Sequence, residues 1–173
     1  MIYDYQKIYE ESSWYGNANV GRCPGVRLIP YYIDYLIAPV ADLGCGRGHT
    51  VLALREKELD CKGYDQIDLG SKMVIADITK PIELTDFRSV VCIDVIEHLL
   101  DEDLEGLFEN FRRVGRQAIS INNSVSEYEG VDLHINKKNF EDWFSFIEKR
   151  GLVVARSIPI HENQVLYLTE TKC

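Results

Sequence analysis

Three groups of residues in this chain are of the types and spacings that do chemistry. The first is Asp42-Leu43-Gly44-Cys45-Gly46-Arg47-Gly48, in which an acid precedes glycines at every second position. Residues 40–43 read as a buried strand and 49–58 as a helix, so the glycines form a strand-to-helix loop whose backbone N–H groups can meet a polar ligand. The second is Glu97-His98, and the third is His134. A histidine titrates near neutral pH and is the side chain best suited to take a proton from an acceptor.

The glycine loop also excludes ligands. A dinucleotide fingerprint, G-x-G-x-x-G, would need glycine at 49, where the chain has His49. No phosphate loop ending in Gly-Lys-Ser/Thr is present. A carboxylate at the strand's end repels a pyrophosphate and suits a cation or the amine of an amino acid.

The chain must supply a scaffold for these groups. From residue 39 strands and helices alternate, with strands expected over 40–43, 61–64, 73–76, 90–93, 118–121, 152–158 and 165–169. This predicts an α/β fold of the Rossmann-like, doubly wound kind: a mostly parallel sheet of about seven strands, closed by an antiparallel edge hairpin. Leu104, Leu107, Phe108 and Phe111 define one core-facing helix, with Asp101, Glu102 and Asp103 at its positive end. Phe140, Trp143, Phe144 and Ile147 define a second, with Asn136 as its expected N-cap and Gly151 as its stop. Another helix is expected over 28–37, with Pro30 in its first turn. Only eight residues, 65–72, join the second and third strands, which leaves room for no more than about one helical turn.

At 173 residues the chain is expected to form a single domain, 1–173, whose first 38 residues are an aromatic-rich lid or helix segment holding seven of its ten tyrosines. Hydrophobic residues make up 46% and charged residues 27%. No apolar run suits a membrane span and no leader peptide is visible, so no membrane partner is expected. The five cysteines form no Cys-x-x-Cys pair, which argues against a zinc site, and Cys61 and Cys92 lie in apolar strand-like runs as free thiols do, which argues for a reducing, cytoplasmic setting. The net charge of −9 disfavours duplex DNA as a partner.

The Asp42–Gly48 stretch resembles the first motif of the class I S-adenosylmethionine-dependent methyltransferases almost letter for letter. The resemblance implies S-adenosyl-L-methionine as cofactor. The backbone of Gly44, Cys45 and Gly46 would pass its methionyl and ribose portions, with Asp42 organising that end. Asp65, 23 positions after Asp42 and followed by Gln66, matches the acid that holds both ribose hydroxyls. Asp77 and Ile78 match the pair that meets the adenine amino group and covers the ring, and Asp94 and Val95 open the fourth motif in its Glu-His form. Tyr15 and Arg22 of the leader are expected to close over the cofactor.

His98 is then the first candidate base and His134 the second, with Glu97 orienting His98 or binding substrate. The expected activity is methyl transfer to an oxygen or nitrogen, with a small molecule as acceptor. The chain lacks the Asn/Asp-Pro-Pro-aromatic sequence that marks adenine, cytosine N4 and glutamine methyltransferases. A subgroup that 2′-O-methylates small RNA ends uses a divalent metal, and Asp94, Glu97, His98 and His134 resemble its ligand set. The alternatives are therefore metal-assisted action on an RNA end, a non-catalytic cofactor-binding subunit, and aminopropyl transfer.

Overall fold

The computed structural model describes residues 3–12, 20–69 and 73–172. Seven strands form one sheet: β1 Val40–Leu43, β2 Cys61–Asp65, β3 Val74–Ile75, β4 Ser89–Ile93, β5 Arg116–Asn122, β8 Leu152–His161 and β9 Gln164–Thr171. Their order is β3-β2-β1-β4-β5-β9-β8. The first five are parallel, while β9 runs antiparallel to β5 and β8 antiparallel to β9. All seven expected strands are present, and the reversal between β1 and β4 opens the crevice in which doubly wound sheets bind ligands. A separate hairpin, β6 Glu127–Tyr128 and β7 Val131–Asp132, was not foreseen.

Period-two alternation assigns each strand residue to a face. Ala41, Leu43, Val90, Cys92, Ile119 and Ile121 meet α4 (Asp101–Arg112) and α5 (Phe140–Lys149) through Leu104, Phe108, Phe111, Trp143 and Ile147. Val40, Val91, Ala118, Leu166 and Leu168 meet α2 (Pro24–Tyr32) and α3 (His49–Arg55) through Leu28, Ile29, Tyr32, Val51 and Leu54. Both faces of β4 are therefore covered, as its unbroken apolar run required.

Several helix details differ from expectation, and α3 also ends at Arg55, short of the expected 58. The helix expected over 28–37 begins at Pro24, not 28, because Pro24 itself suits the opening turn. Pro30 lies inside the helix on its exposed side, and the chain tightens to a 3-10 turn over Ile33–Tyr35. The N-cap of α5 is Asn139, whose side chain accepts from Asp142 N at 2.8 Å. Asn136 is instead buried, and its amide donates to Leu99 O at 3.0 Å and Asp101 Oδ1 at 2.9 Å. Phe144 is 37% exposed and leaves the core stripe to Trp143 and Ile147. Among the described residues 66–69 and 73 of the β2–β3 link there is no helix, in line with its length.

One glycine of α4 locks the helix against the loop after β3. A Cβ on Gly106 would stand 1.8 Å from Thr79 O. Alanine is the better helix former by about 1 kcal/mol, yet here a methyl meets backbone. Gly106→Ala is expected to lower stability by about 1–3 kcal/mol, since overpacking outweighs propensity. A urea midpoint at or above that of the unaltered protein would contradict this.

Candidate functional site

Two adjoining cavities open at the carboxyl ends of the parallel strands. The larger, about 310 Å³, runs from the glycine loop to the ends of β5 and β9 and includes Asp42, Gly46, Asp94, His98, Asn122 and His134. The smaller, about 140 Å³, lies over β2 and β3 and includes Asp65, Gln66, Asp77, Ile78 and Val95. Gly44, Asp94 and His98 border both. Arg22, Cys45 and Gly46 line the larger cavity, so the expected site residues converge on this pair of cavities, apart from Glu97, which lies buried behind them, and Tyr15, which lies outside the described residues.

The loop needs its glycines. Gly44, Gly46 and Gly48 have φ of 77°, 51° and 72°. Added Cβ atoms at the first two would meet Val95 Cγ2 at 2.5 Å and the Tyr9 hydroxyl at 2.8 Å. Gly44 N and Cys45 N donate to Tyr64 O at 2.9 and 3.1 Å, and Gly46 N donates to Asp65 Oδ2 at 2.8 Å. The second acid thus grips the loop that follows the first.

The four acids differ sharply in setting. Asp42 is 3% exposed, and its Oδ2 has no hydrogen-bond partner among the described residues. Burial, with the Asp65 charge adding, pushes its carboxyl up to about 7. Burial likewise raises Asp65, although N–H groups of the glycine loop and its own turn oppose it. Burial acts upward on Asp77 too, but the Thr79 hydroxyl and N–H, at 2.6 and 2.9 Å from Oδ1, outweigh it and hold the carboxyl below its ordinary value. Asp94 has a left-handed φ of 54° and accepts from Ser120 Oγ and Gln164 Nε2, both at 2.8 Å. Asn122 Nδ2 stands 3.4 Å from its other oxygen, and burial still raises the carboxyl.

Beside Asp94, a 3-10 turn over Ile96–His98 presents Glu97 and His98. Glu97 is fully buried; its Oε1 accepts from Asn122 N at 3.0 Å, and Oε2 has no partner among the described residues. Burial and the Asp94 charge raise its carboxyl well above the usual range. His98 Nδ1 lies 3.0 Å from Leu133 O, and His134 Nδ1 lies 2.7 Å from Ser124 O. A carbonyl oxygen only accepts, so both rings carry hydrogen on Nδ1 and present a lone pair at Nε2. The Tyr5 hydroxyl, 3.1 Å from His98 Nδ1, adds a second acceptor for that hydrogen. Burial, with His134 beside it, depresses His98 to about 4. His134 is also lowered by burial, and the two rings meet edge-to-face at 4.6 Å. Glu97, His98 and His134 offer ligand atoms all within 4.8 Å of one another. Asp94 stands outside that trio, committed to β5 and β9.

Neither a protein-family description nor a curated protein sequence matches the chain. Solved structures do share its architecture. A Burkholderia thailandensis 1,6-didemethyltoxoflavin-N1-methyltransferase, solved with 1,6-didemethyltoxoflavin and S-adenosylhomocysteine, superposes with a TM-score of 0.78. The match covers 98% of this chain and 85% of that one at 11% identity. The glycopeptide N-methyltransferase MtfA, solved with S-adenosyl-L-methionine, gives 0.68 over 86% and 93% at 14% identity. The methyltransferase domain of bacterial CtHen1-CN gives 0.64 over 88% and 100% at 18% identity. The fold is that of the S-adenosylmethionine-dependent methyltransferases.

Several residues at the site carried no signal readable in advance. Gln164 and Ser120 on Asp94, and Asn122 on Glu97, come from β9 and β5, far along the chain from the acids they support. His49 and His161, which had no expected role, both line the larger cavity. The tyrosine-rich leader is plain in the sequence, but not that α1 (Tyr5–Glu11) puts Tyr5 on His98 and Tyr9 against Gly46.

Proposed function

We propose that the protein is an S-adenosylmethionine-dependent methyltransferase that methylates an oxygen or nitrogen of a small molecule. The observation that carries this reading is the unpartnered, buried Asp42 carboxylate oxygen beside a loop whose glycines leave no room for a Cβ. A buried acid without a partner is costly unless a ligand supplies one, and an amino-acid ammonium fits it. In this reading Asp65 and Gln66 receive the ribose, Asp77 the adenine amino group, and Ile78 and Val95 cover the ring. Arg22 belongs to a lid whose described part is α1 and the turn ahead of α2, and Tyr15, expected to join it, lies outside the described residues. The contacts of α1 support the lid: Arg47 donates to Tyr9 O at 3.0 Å, Tyr128 to Glu11 at 2.7 Å, and Lys7 pairs with Glu129 at 3.6 Å.

When bound, the cofactor supplies an electrophilic methyl carbon on a cationic sulfonium. The chain's part is to hold the acceptor in line and receive its proton. His98 Nε2 is the receiving atom; Leu133 O and Tyr5 fix the ring by its other nitrogen. A base held near 4 is neutral at physiological pH but weak. It suits an acidic hydroxyl, or an amine that sheds its proton after the methyl arrives, better than an aliphatic alcohol. His134 lies in ring contact as the second base.

A second reading is metal-assisted transfer to an RNA end, favoured by the trio of Glu97, His98 and His134. The Nδ1–H groups of the two histidines are tied to carbonyls, as those of metal-binding histidines commonly are, and Glu97 Oε2 has no partner among the described residues. A divalent cation held there would activate the acceptor oxygen as a Lewis acid.

Calorimetry with S-adenosylhomocysteine tests the cofactor assignment. A one-to-one complex is expected, and folded protein that binds neither it nor S-adenosyl-L-methionine would end the proposal. Binding without turnover on any acceptor would favour a non-catalytic subunit.

A further inference from the structure

The larger cavity runs against the charge of the chain. The protein carries a formal −9, yet Arg22, Arg27 and Arg47 line this cavity, against Asp42 and Asp94 as the acids among its described lining residues. Burial raises both of those carboxyls, which weakens their countercharge further. Two of the three cations have work elsewhere. Arg47 donates to Tyr9 O and lies 5.9 Å over the Tyr9 ring, which ties it to α1. Arg22 is assigned above to the cofactor. Arg27, on the exposed side of α2, makes no ion pair among the described residues.

Arg27 shares the cavity wall with His161, the last residue of β8. Asn163 N donates to His161 Nδ1 at 3.2 Å, so the neutral ring carries its hydrogen on Nε2 and is a donor there. The sheet order puts β8 on the far side of β4 from β2 and β3, where Asp65 and Asp77 mark the nucleoside end. His161 therefore reaches the cavity from the acceptor side, as do Asn122, which ends β5, and Ser124 beyond it.

From this placement we infer that Arg27 and His161 form an anion subsite, and that the methyl acceptor is a small molecule bearing a carboxylate or phosphate group. The inference rests on the methyltransferase reading and deepens it. A guanidinium fork matches either anion, and the imidazole N–H adds a directed bond. The anion would anchor the acceptor while its nucleophilic atom faces His98 and His134.

The test uses protein saturated with S-adenosylhomocysteine, so that the cofactor's own carboxylate place is filled. Inorganic phosphate and benzoate are then titrated separately and followed by NMR. Binding of at least one anion is expected, weakened about tenfold in Arg27→Gln, as loss of a charged hydrogen bond implies, and less in Arg27→Lys. His161→Gln should weaken it as well. Arg27 is exposed, so these variants keep the fold. Three results overturn the inference: neither anion binds the saturated protein, Arg27→Gln binds as tightly as the unaltered chain, or the anions displace S-adenosylhomocysteine. Failure of S-adenosylhomocysteine to bind at all overturns the methyltransferase reading, and the acceptor assignment with it.

Discussion

Asp42→Asn is expected to make the cofactor-free protein more stable at pH 8 while crippling its ligand binding. The folded carboxyl sits near 7, raised from an unfolded value near 4. Between those values the folded state holds a proton that the unfolded state has released, so stability falls as pH rises through the window and levels off above about 7. Three pH units correspond to about 4 kcal/mol at the upper end. The amide is also buried with an unfilled hydrogen-bond position, which returns part of the gain, so about 2 kcal/mol is the expected net increase. Denaturant melts of both proteins from pH 4 to 9 would show it: the unaltered chain should lose stability across the window, and the variant should lose less. Equal slopes would mean that Asp42 is not the group responsible. Binding should move the other way. An ammonium against Asp42 favours the ionised carboxylate, so the unaltered protein should release protons on taking up S-adenosylhomocysteine at pH 7. Heats measured in buffers of different ionisation enthalpy should reveal this, and Asp42→Asn should bind at least tenfold more weakly, by loss of a charge-assisted hydrogen bond.

Replacing His98 is expected to have the largest effect on turnover. His98→Ala should lower kcat by about 10²–10⁴, the usual worth of a positioned base. Glu97→Gln separates the two readings of the site. Burial, with the Asp94 charge adding, holds the Glu97 carboxyl well above the usual range, and glutamine nearly copies its shape. If His98 acts as a base, Glu97→Gln should keep most of the activity and a chelator should do nothing. If a cation bridges Glu97, His98 and His134, the glutamine removes a charged ligand, and activity should collapse with it and with chelation. Because His98 is neutral above about 4, the rate should show no His98 titration between pH 6 and 8. A step of histidine character in that range, absent from His98→Ala, would contradict the setting described for this ring.

The strand skeleton was legible because strands buried on both faces leave an unmistakable mark, as in Val90-Val91-Cys92. The glycine loop was legible for a related reason, since left-handed backbone at Gly44, Gly46 and Gly48, together with the lack of room for a Cβ there, selects glycine. Helix starts were less so. Asn136 and Asn139 are chemically identical caps three residues apart, and only the tertiary bond from Asn136 to Leu99 decides between them. The support around Asp94 was invisible for the same reason: Ser120 and Gln164 meet it across 26 and 70 residues of chain. Local pattern reports which backbone a residue prefers. It does not report which distant side chain will need it.

That long reach has a consequence for how the protein is made. Asp94 holds a left-handed backbone at the head of the Glu97–His98 turn, and its carboxylate leans on Gln164, at the start of the final strand. A nascent chain still threaded through the ribosome can pair β1, β2 and β4, yet it lacks β9 and cannot brace this carboxylate. The glycine loop therefore draws on segments made earlier, whereas the reacting end is braced only once β9 has been made. A product truncated before residue 164 would lack this brace and, with it, the buried Val165, Leu166, Tyr167 and Leu168 that pack on both faces of the sheet.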